Sequence, residues 1–87
     1  KGHEGNVYPA LISGVSKYGI YVTLIERPIE GMIPMRTLTD DYYLVQETEH
    51  SVVGKRYSRR FTLGDRIDVR LTKSDVELMR IDFELAM

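Results

Sequence analysis

Two segments near the C-terminus alternate charged and apolar residues without a fault: Arg66-Ile67-Asp68-Val69-Arg70-Leu71-Thr72 and Arg80-Ile81-Asp82-Phe83-Glu84-Leu85. Alternation with a period of two sends successive side chains to opposite faces of a strand, so Ile67, Val69, Leu71, Ile81, Phe83 and Leu85 are expected to face a core. Lys73 to Met79 would join the two strands as a hairpin. The same period runs through Lys17-Tyr18-Gly19-Ile20-Tyr21-Val22-Thr23-Leu24, where Ile20, Val22 and Leu24 take the inner face. Tyr21 then takes the outer face, with Tyr18 just before it across Gly19. Upstream, Val7 to Val15 is apolar but broken by Pro9 and Gly14, which predicts a bent or bulged strand able to turn a corner.

Between these segments the chain is punctuated by Gly5, Pro9, Gly14, Gly19, Pro28, Gly31, Gly54 and Gly64, so its strands are short and its turns frequent. Ile20 to Ile25 reads as the second strand and Glu26 to Gly31 as a turn. Met32 to Met35 reads as a short third strand that carries Pro34 near an edge or an end. Thr37-Leu38-Thr39-Asp40-Asp41 supplies cap-like residues with room for one helical turn. Leu63-Gly64-Asp65 reads as a turn into the fourth strand. Five strands with an insertion at about 42–61 give an all-β fold matching the small barrel known as the OB-fold. An SH3-like barrel satisfies much of the same pattern, and periodicity does not separate them. Tyr42, Tyr43, Val45, Val52 and Val53 of the insertion fit either a satellite hairpin or a cover over one barrel end.

Composition narrows the setting. A chain of 87 residues is one small domain, and it buries roughly 60–65% of its unfolded surface. Cysteine is absent, which excludes disulfides and thiolate zinc sites and fits a reducing, cytoplasmic setting. Apolar runs of a few residues exclude a membrane span. The opening Lys1, in place of Met, reads as the start of a fragment of something longer.

The net charge of −1 argues against broad electrostatic attraction to a polyanion, but the charges are unevenly placed. From Lys55 onward there are eight basic and six acidic residues, against four and seven before it. Any anion-binding surface is therefore local, and the densest basic cluster is Lys55-Arg56-Tyr57-Ser58-Arg59-Arg60. The more pointed signal is the outward Tyr18 and Tyr21 beside Lys17. Exposed rings next to a cation make a surface on which unpaired bases stack, worth about 1–3 kcal/mol per base and tolerant of sequence. The same rings, with the exposed part of Met32, would equally form an apolar patch for another protein.

Several motifs resemble one family. Leu11-Ile12-Ser13-Gly14-Val15, Tyr18-Gly19-Ile20-Tyr21-Val22 and Glu30-Gly31-Met32-Ile33 look like the first three strands of the S1-type RNA-binding domain, an OB-fold repeat. Asp41-Tyr42-Tyr43, Glu49 to Arg56, Phe61 to Asp65 and Arg80 to Phe83 resemble the version found near the C-terminus of the ribonuclease R and II exoribonucleases. The resemblance covers nearly the whole chain, and the insertion is its most specific part.

It implies a monomeric module that binds single-stranded RNA beside cold-shock domains and feeds it to a separate, magnesium-dependent 3′-to-5′ exoribonuclease domain. Carried onto this sequence, the stacking rings are Tyr18 and Tyr21, and the polar pair of the last hairpin falls near Asp75 and Arg80. The family often has His at the position of Pro34, small hydroxyl residues at that of Arg36 and Gly at that of Ala10. Pro34 can pack against a base or ribose but donates no hydrogen bond, while Arg36 offers a phosphate contact or a stacking plane. Lys17, Arg36 and Arg80 are the expected phosphate contacts, with Asp75 orienting Arg80 or accepting from a base or ribose hydroxyl. Lys55, Arg56, Arg59 and Arg60 form a candidate extension that lies along the RNA or against a neighbouring domain.

No catalytic set is present. Asp40 and Asp41 are the only adjacent carboxylates and read as a surface turn, His3 and His50 lack zinc spacing, and no nucleophile stands with a base. The domain itself is expected to need no cofactor and to hydrolyse nothing.

Overall fold

A computed structural model describes residues 5–75 and 80–86, without the side chains of 73–75 and 80. The described residues form eight strands: β1 (Val7–Ser16), β2 (Gly19–Leu24), β3 (Glu30–Pro34), β4 (Tyr43–Gln46), β5 (Ser51–Gly54), β6 (Arg60–Thr62), β7 (Arg66–Asp75) and β8 (Arg80–Leu85). Five of them close into a barrel in the order β1-β2-β3-β8-β7, and β4, β5 and β6 make a separate three-stranded sheet. All barrel pairings are antiparallel except that of β3 with β8, which run parallel with Met32 opposite Asp82. A five-stranded closed barrel joined through this parallel seam is the OB-fold arrangement, which settles the choice that periodicity left open.

The bend expected in the first strand is a register shift between Ile12 and Gly14, and a second falls between Leu71 and Lys73 in β7. Extra residues at such places increase local twist and let a long strand serve two neighbours. β1 does so, pairing with β2 along one edge and β7 along the other. Beyond Arg66 the second ladder continues through Ile12 N–H to Asp65 O (2.9 Å) and Gly64 N–H to Ile12 O (2.8 Å). Gly64 takes a φ of +93° in the turn after β6, where Asp65 N–H returns to Thr62 O. That conformation costs glycine nothing and strains other residues.

Ala10, Ile12, Ile20, Val22, Leu24, Ile33, Val69 and Phe83 fill the barrel, and Phe83 is the largest of the fully buried side chains. Of the six residues expected inward on the last two strands, Val69 and Phe83 are buried, while Ile67, Leu71, Ile81 and Leu85 pack half-buried against the core. Gly31 lets β3 pass the Phe83 ring: a Cβ there would lie 2.5 Å from a ring carbon and 2.7 Å from Ile81 O.

The structure shifts several expected boundaries. The helical turn is a 3-10 turn at Met35–Thr37 and not at 37–41, because Thr37 Oγ1 donates to Pro34 O (2.7 Å) and closes it early. β7 runs on to Asp75, so part of the expected connection is strand, and residues 76–79 lie outside the described residues. In the inserted segment β4 and β5 pair as the antiparallel hairpin that was one of the two expectations, and β6 adds a third strand to it. Val52 and Phe61 join the same hydrophobic core as the barrel residues, with Tyr43 and Phe61 rings 5.9 Å apart and tilted.

Candidate nucleic-acid interface

Both rings expected outside the barrel are outside it. Tyr18 is 64% exposed and Tyr21 37%, while the flanking Ile20 and Val22 are fully buried. Tyr21 pairs with Gly14 on β1 and Met32 on β3. The Tyr21 ring lies over Gly14, its Cδ2 3.7 Å from where a Cβ would stand, an ordinary van der Waals distance. Ser16 ties the two tyrosines together: its Oγ accepts the Tyr18 backbone N–H (3.0 Å) and shares a hydrogen bond with the Tyr21 hydroxyl (3.2 Å). One hydroxyl thus fixes the turn that carries Tyr18 and the tip of the Tyr21 ring. Periodicity gave no hint of this role for Ser16.

Cations stand at the same end. The Lys17 ammonium lies 5.3 Å from the centre of the Tyr18 ring, within cation–π range. Met35 N–H donates to Tyr18 O (2.9 Å), which holds the 3-10 turn against the β1–β2 connection and places the exposed Arg36 beside it. Pro34 differs from expectation. It is buried, ending β3 opposite Gly19, so its ring is not a surface for a base or ribose. Asp75 and Arg80 oppose each other in the β7–β8 register, and their side chains lie outside the description.

Next to Tyr21 an open groove of about 340 Å³ runs over the parallel seam, lined among others by Ser13, Glu30, Met32 and Asp82. Alternation sends Asp82 outward with Arg80 and Glu84, yet it is only 5% exposed. The reason is topological: its strand neighbours are β3 on one side and the long β7 on the other, so an outer position here lies in a groove. Nothing in the local pattern reports which strands flank β8.

The basic cluster divides in two. Arg59 lies 3.8 Å from Asp40 and over the Phe61 ring, and Arg60 bonds Glu49 and the buried Ser51 hydroxyl. Those two arginines brace the inserted sheet and do not form the continuous patch that the sequence suggested. Lys55 and Arg56 are exposed at its tip.

The adjacent carboxylates are structural. Asp40 accepts the Tyr43 hydroxyl at 3.1 Å on both oxygens. Burial, reinforced by that bond, pushes the Tyr43 phenol above the usual tyrosine range. Asp41 accepts backbone N–H groups from Tyr42 (2.6 Å), Arg56 (2.9 Å) and Tyr57 (2.8 Å). Desolvation alone would raise its pKa, but these donors and the Arg56 charge together hold it below the ordinary aspartate value. Among the described residues no three His, Cys, Asp or Glu side chains are grouped to hold a metal.

A carboxylate with a depressed native pKa contributes stability that is present above its unfolded pKa and lost as pH falls through the native one. The Tyr42, Arg56 and Tyr57 amides are therefore expected to lose protection together in hydrogen exchange as the pH drops below the ordinary aspartate range. Asp41→Asn, with a single acceptor oxygen, should expose them at neutral pH and remove that acid dependence. Unchanged exchange in the variant would show that the carboxylate does not hold the loop.

Residues 1–86 match the family model described as the S1 RNA binding domain. The chain is 41% identical over 85 residues to ribonuclease R of Aquifex aeolicus and 35% identical over 83 residues to that of Thermotoga maritima. These alignments take in 98% and 95% of this chain but only 12% of each relative's length. RNase R of Mycoplasma genitalium, solved in its apo form and in complex with ribose methylated single-stranded RNA, shares the fold with a TM-score of 0.89. That likeness holds at 22% identity over 98% of this chain and 13% of the other. With the barrel order, the paired outer tyrosines and a family match over almost every residue, the chain belongs to the S1 RNA binding domain family.

Proposed function

We propose that this chain is the single-stranded RNA-binding module of a ribonuclease R-like 3′-to-5′ exoribonuclease, and that the Tyr18–Tyr21 surface is where the strand lies. The observation that carries the reading is that two rings, one of them held by Ser16 and the other carried on a turn that Ser16 fixes, stand outside a barrel whose core residues are buried. Successive unstacked bases rest on Tyr18 and Tyr21. One face of Tyr18 carries the Lys17 ammonium, leaving the other for a base. Glu30 and Asp82 line the groove beyond Tyr21 and repel phosphate, so the backbone follows the side of Lys17 and Arg36, with Arg80 as a further contact. Stacking reads no base edge, so recognition depends on single-strandedness more than on sequence.

Support for the parent enzyme comes from the ribonuclease R relatives, in which the aligned part is about an eighth of the chain. A separate catalytic domain there would carry the magnesium chemistry. In such a setting a tethered strand sees a high effective concentration, which makes weak contacts useful. Cold-shock and catalytic domains of the same polypeptide would be the neighbours, and the cytoplasm the setting.

Two or three neutralised phosphates give a slope of log affinity against log salt of roughly −1.4 to −2 for a single strand. Titration of the chain with a uridine oligomer of about four nucleotides, followed by amide resonance shifts, should show this slope and move β2, β3 and the 3-10 turn first. Immobile amides there at millimolar ligand would reject the RNA reading and leave the tyrosines as a protein-docking patch.

A further inference from the structure

The inserted sheet repeats, in different residues, the chemistry of the barrel platform. Tyr42 is 69% exposed and Tyr57 65%, which makes them as open as Tyr18. The Arg56 guanidinium lies 5.3 Å from the Tyr57 ring centre, the same distance as Lys17 from Tyr18. Lys55 is exposed beside it, and among the described residues neither Lys55 nor Arg56 has a carboxylate within ion-pair distance. The Asp41 carboxylate gathers this group. It accepts from the backbones of Tyr42, Arg56 and Tyr57, and Lys55 N–H donates to Tyr42 O at 2.8 Å, so four side chains radiate from one hydrogen-bonded knot. Beside the knot an open cleft of about 560 Å³ is lined by Thr39, Asp40, Asp41, Tyr42, Lys55 and Arg56.

Two carboxylates and two cations line this cleft, so the cations are offered by their position at the tip and not by an excess of positive charge. Asp41 is spent on backbone N–H groups, and Asp40 on the Tyr43 hydroxyl and Arg59. The cations that remain presented sit between two open rings. Aromatic surface alone would suit many partners, but rings interleaved with unpaired cations suit an alternation of bases and phosphates.

We infer that the tip of the β4–β5–β6 sheet, formed by Tyr42, Lys55, Arg56 and Tyr57, is a second contact for single-stranded RNA, separate from the Tyr18–Tyr21 platform. Tyr42 and Tyr57 stack bases while Lys55 and Arg56 hold the intervening phosphates. This rests on the reading that the chain takes single-stranded RNA, but the two surfaces report on different amides and fail separately.

The test uses the 87-residue chain and a uridine oligomer of about four nucleotides, with amide shifts recorded for both surfaces. The expected result is a second set of shifts at residues 42 and 55–57 alongside that at 18–21. Combining Tyr42→Ala with Tyr57→Ala should weaken the second set at least about fivefold and leave the first unchanged. The backbone donors to Asp41 survive that change, and Arg56→Glu, which keeps both rings, should abolish the second set by charge alone. Replacing Lys55 and Arg56 by alanine should flatten the salt slope of the second set by about 1.4. Still amides at 42 and 55–57 while 18–21 respond would overturn this inference and leave the platform standing; the converse would reject the platform and keep the tip. Shifts at the tip with the remainder of a longer polypeptide, and none with RNA, would also overturn it, as a domain contact.

Discussion

Replacing Tyr18 and Tyr21 together by alanine is expected to cost about 2–4 kcal/mol of affinity for an unstructured oligoribonucleotide. Each ring contributes about 1–3 kcal/mol by stacking, and the sum is held below the maximum because the two rings stand side by side on one surface. Residues that share a partner do not add independently. The stability of the fold should change far less, since Tyr18 supports nothing in the core and Tyr21 loses an exposed hydrogen bond to Ser16 and its contact over Gly14. Tyr21→Phe separates the two contributions of that residue: it keeps the ring and removes the hydroxyl bond to Ser16, so most affinity should remain. Titration of the double variant, with its urea midpoint recorded alongside, decides the matter. Near-native affinity in a folded double variant would mean that the bases rest elsewhere.

Strict alternation on β2, β7 and β8 is enforced by packing on one face, so Ile20, Val22, Val69 and Phe83 are legible as core in the sequence. The outward direction of Tyr21 followed from the same period. Asp82 was not legible, because its burial depends on the parallel seam with β3, a contact between residues far apart in the chain. Pro34 was read through a family position and proved buried, since burial at a strand end depends on what packs over it. Arg59 and Arg60 looked like one cluster with Lys55 and Arg56, but the turn after β5 separates them. Ser58 takes a φ of 63° there, the chain reverses, and the later two arginines face Asp40 and Glu49. Tyr42 and Tyr57 stand in the insertion and the basic cluster, where no periodic strand signals their exposure. Their exposure comes from the Asp41 knot, which joins residues fifteen and sixteen positions away.

Phe83→Ala should destabilise the chain by about 3–5 kcal/mol, the range for removing a large aromatic from a packed core. Phe83 is 1% exposed and is the ring that Gly31 makes room for. It also lies at the parallel seam, where Met32 opposite Asp82 is the paired position. A seam held by so few ladder contacts depends on side-chain packing more than the antiparallel edges do. Small domains have about 0.05–0.15 kcal/mol of stability per residue, so this loss is a large share of what a chain of 87 residues possesses. Gly31→Ala attacks the same contact from the other side and should cost about 1–3 kcal/mol by overpacking. Adding Phe83→Leu to it should recover part of that loss, because the smaller side chain frees the space the new methyl needs; Ile81 O, 2.7 Å from the same point, limits the recovery. Urea unfolding of Gly31→Ala, Phe83→Leu and their combination measures the coupling. A loss below about 1 kcal/mol for Phe83→Ala would show that the seam is held by the backbone.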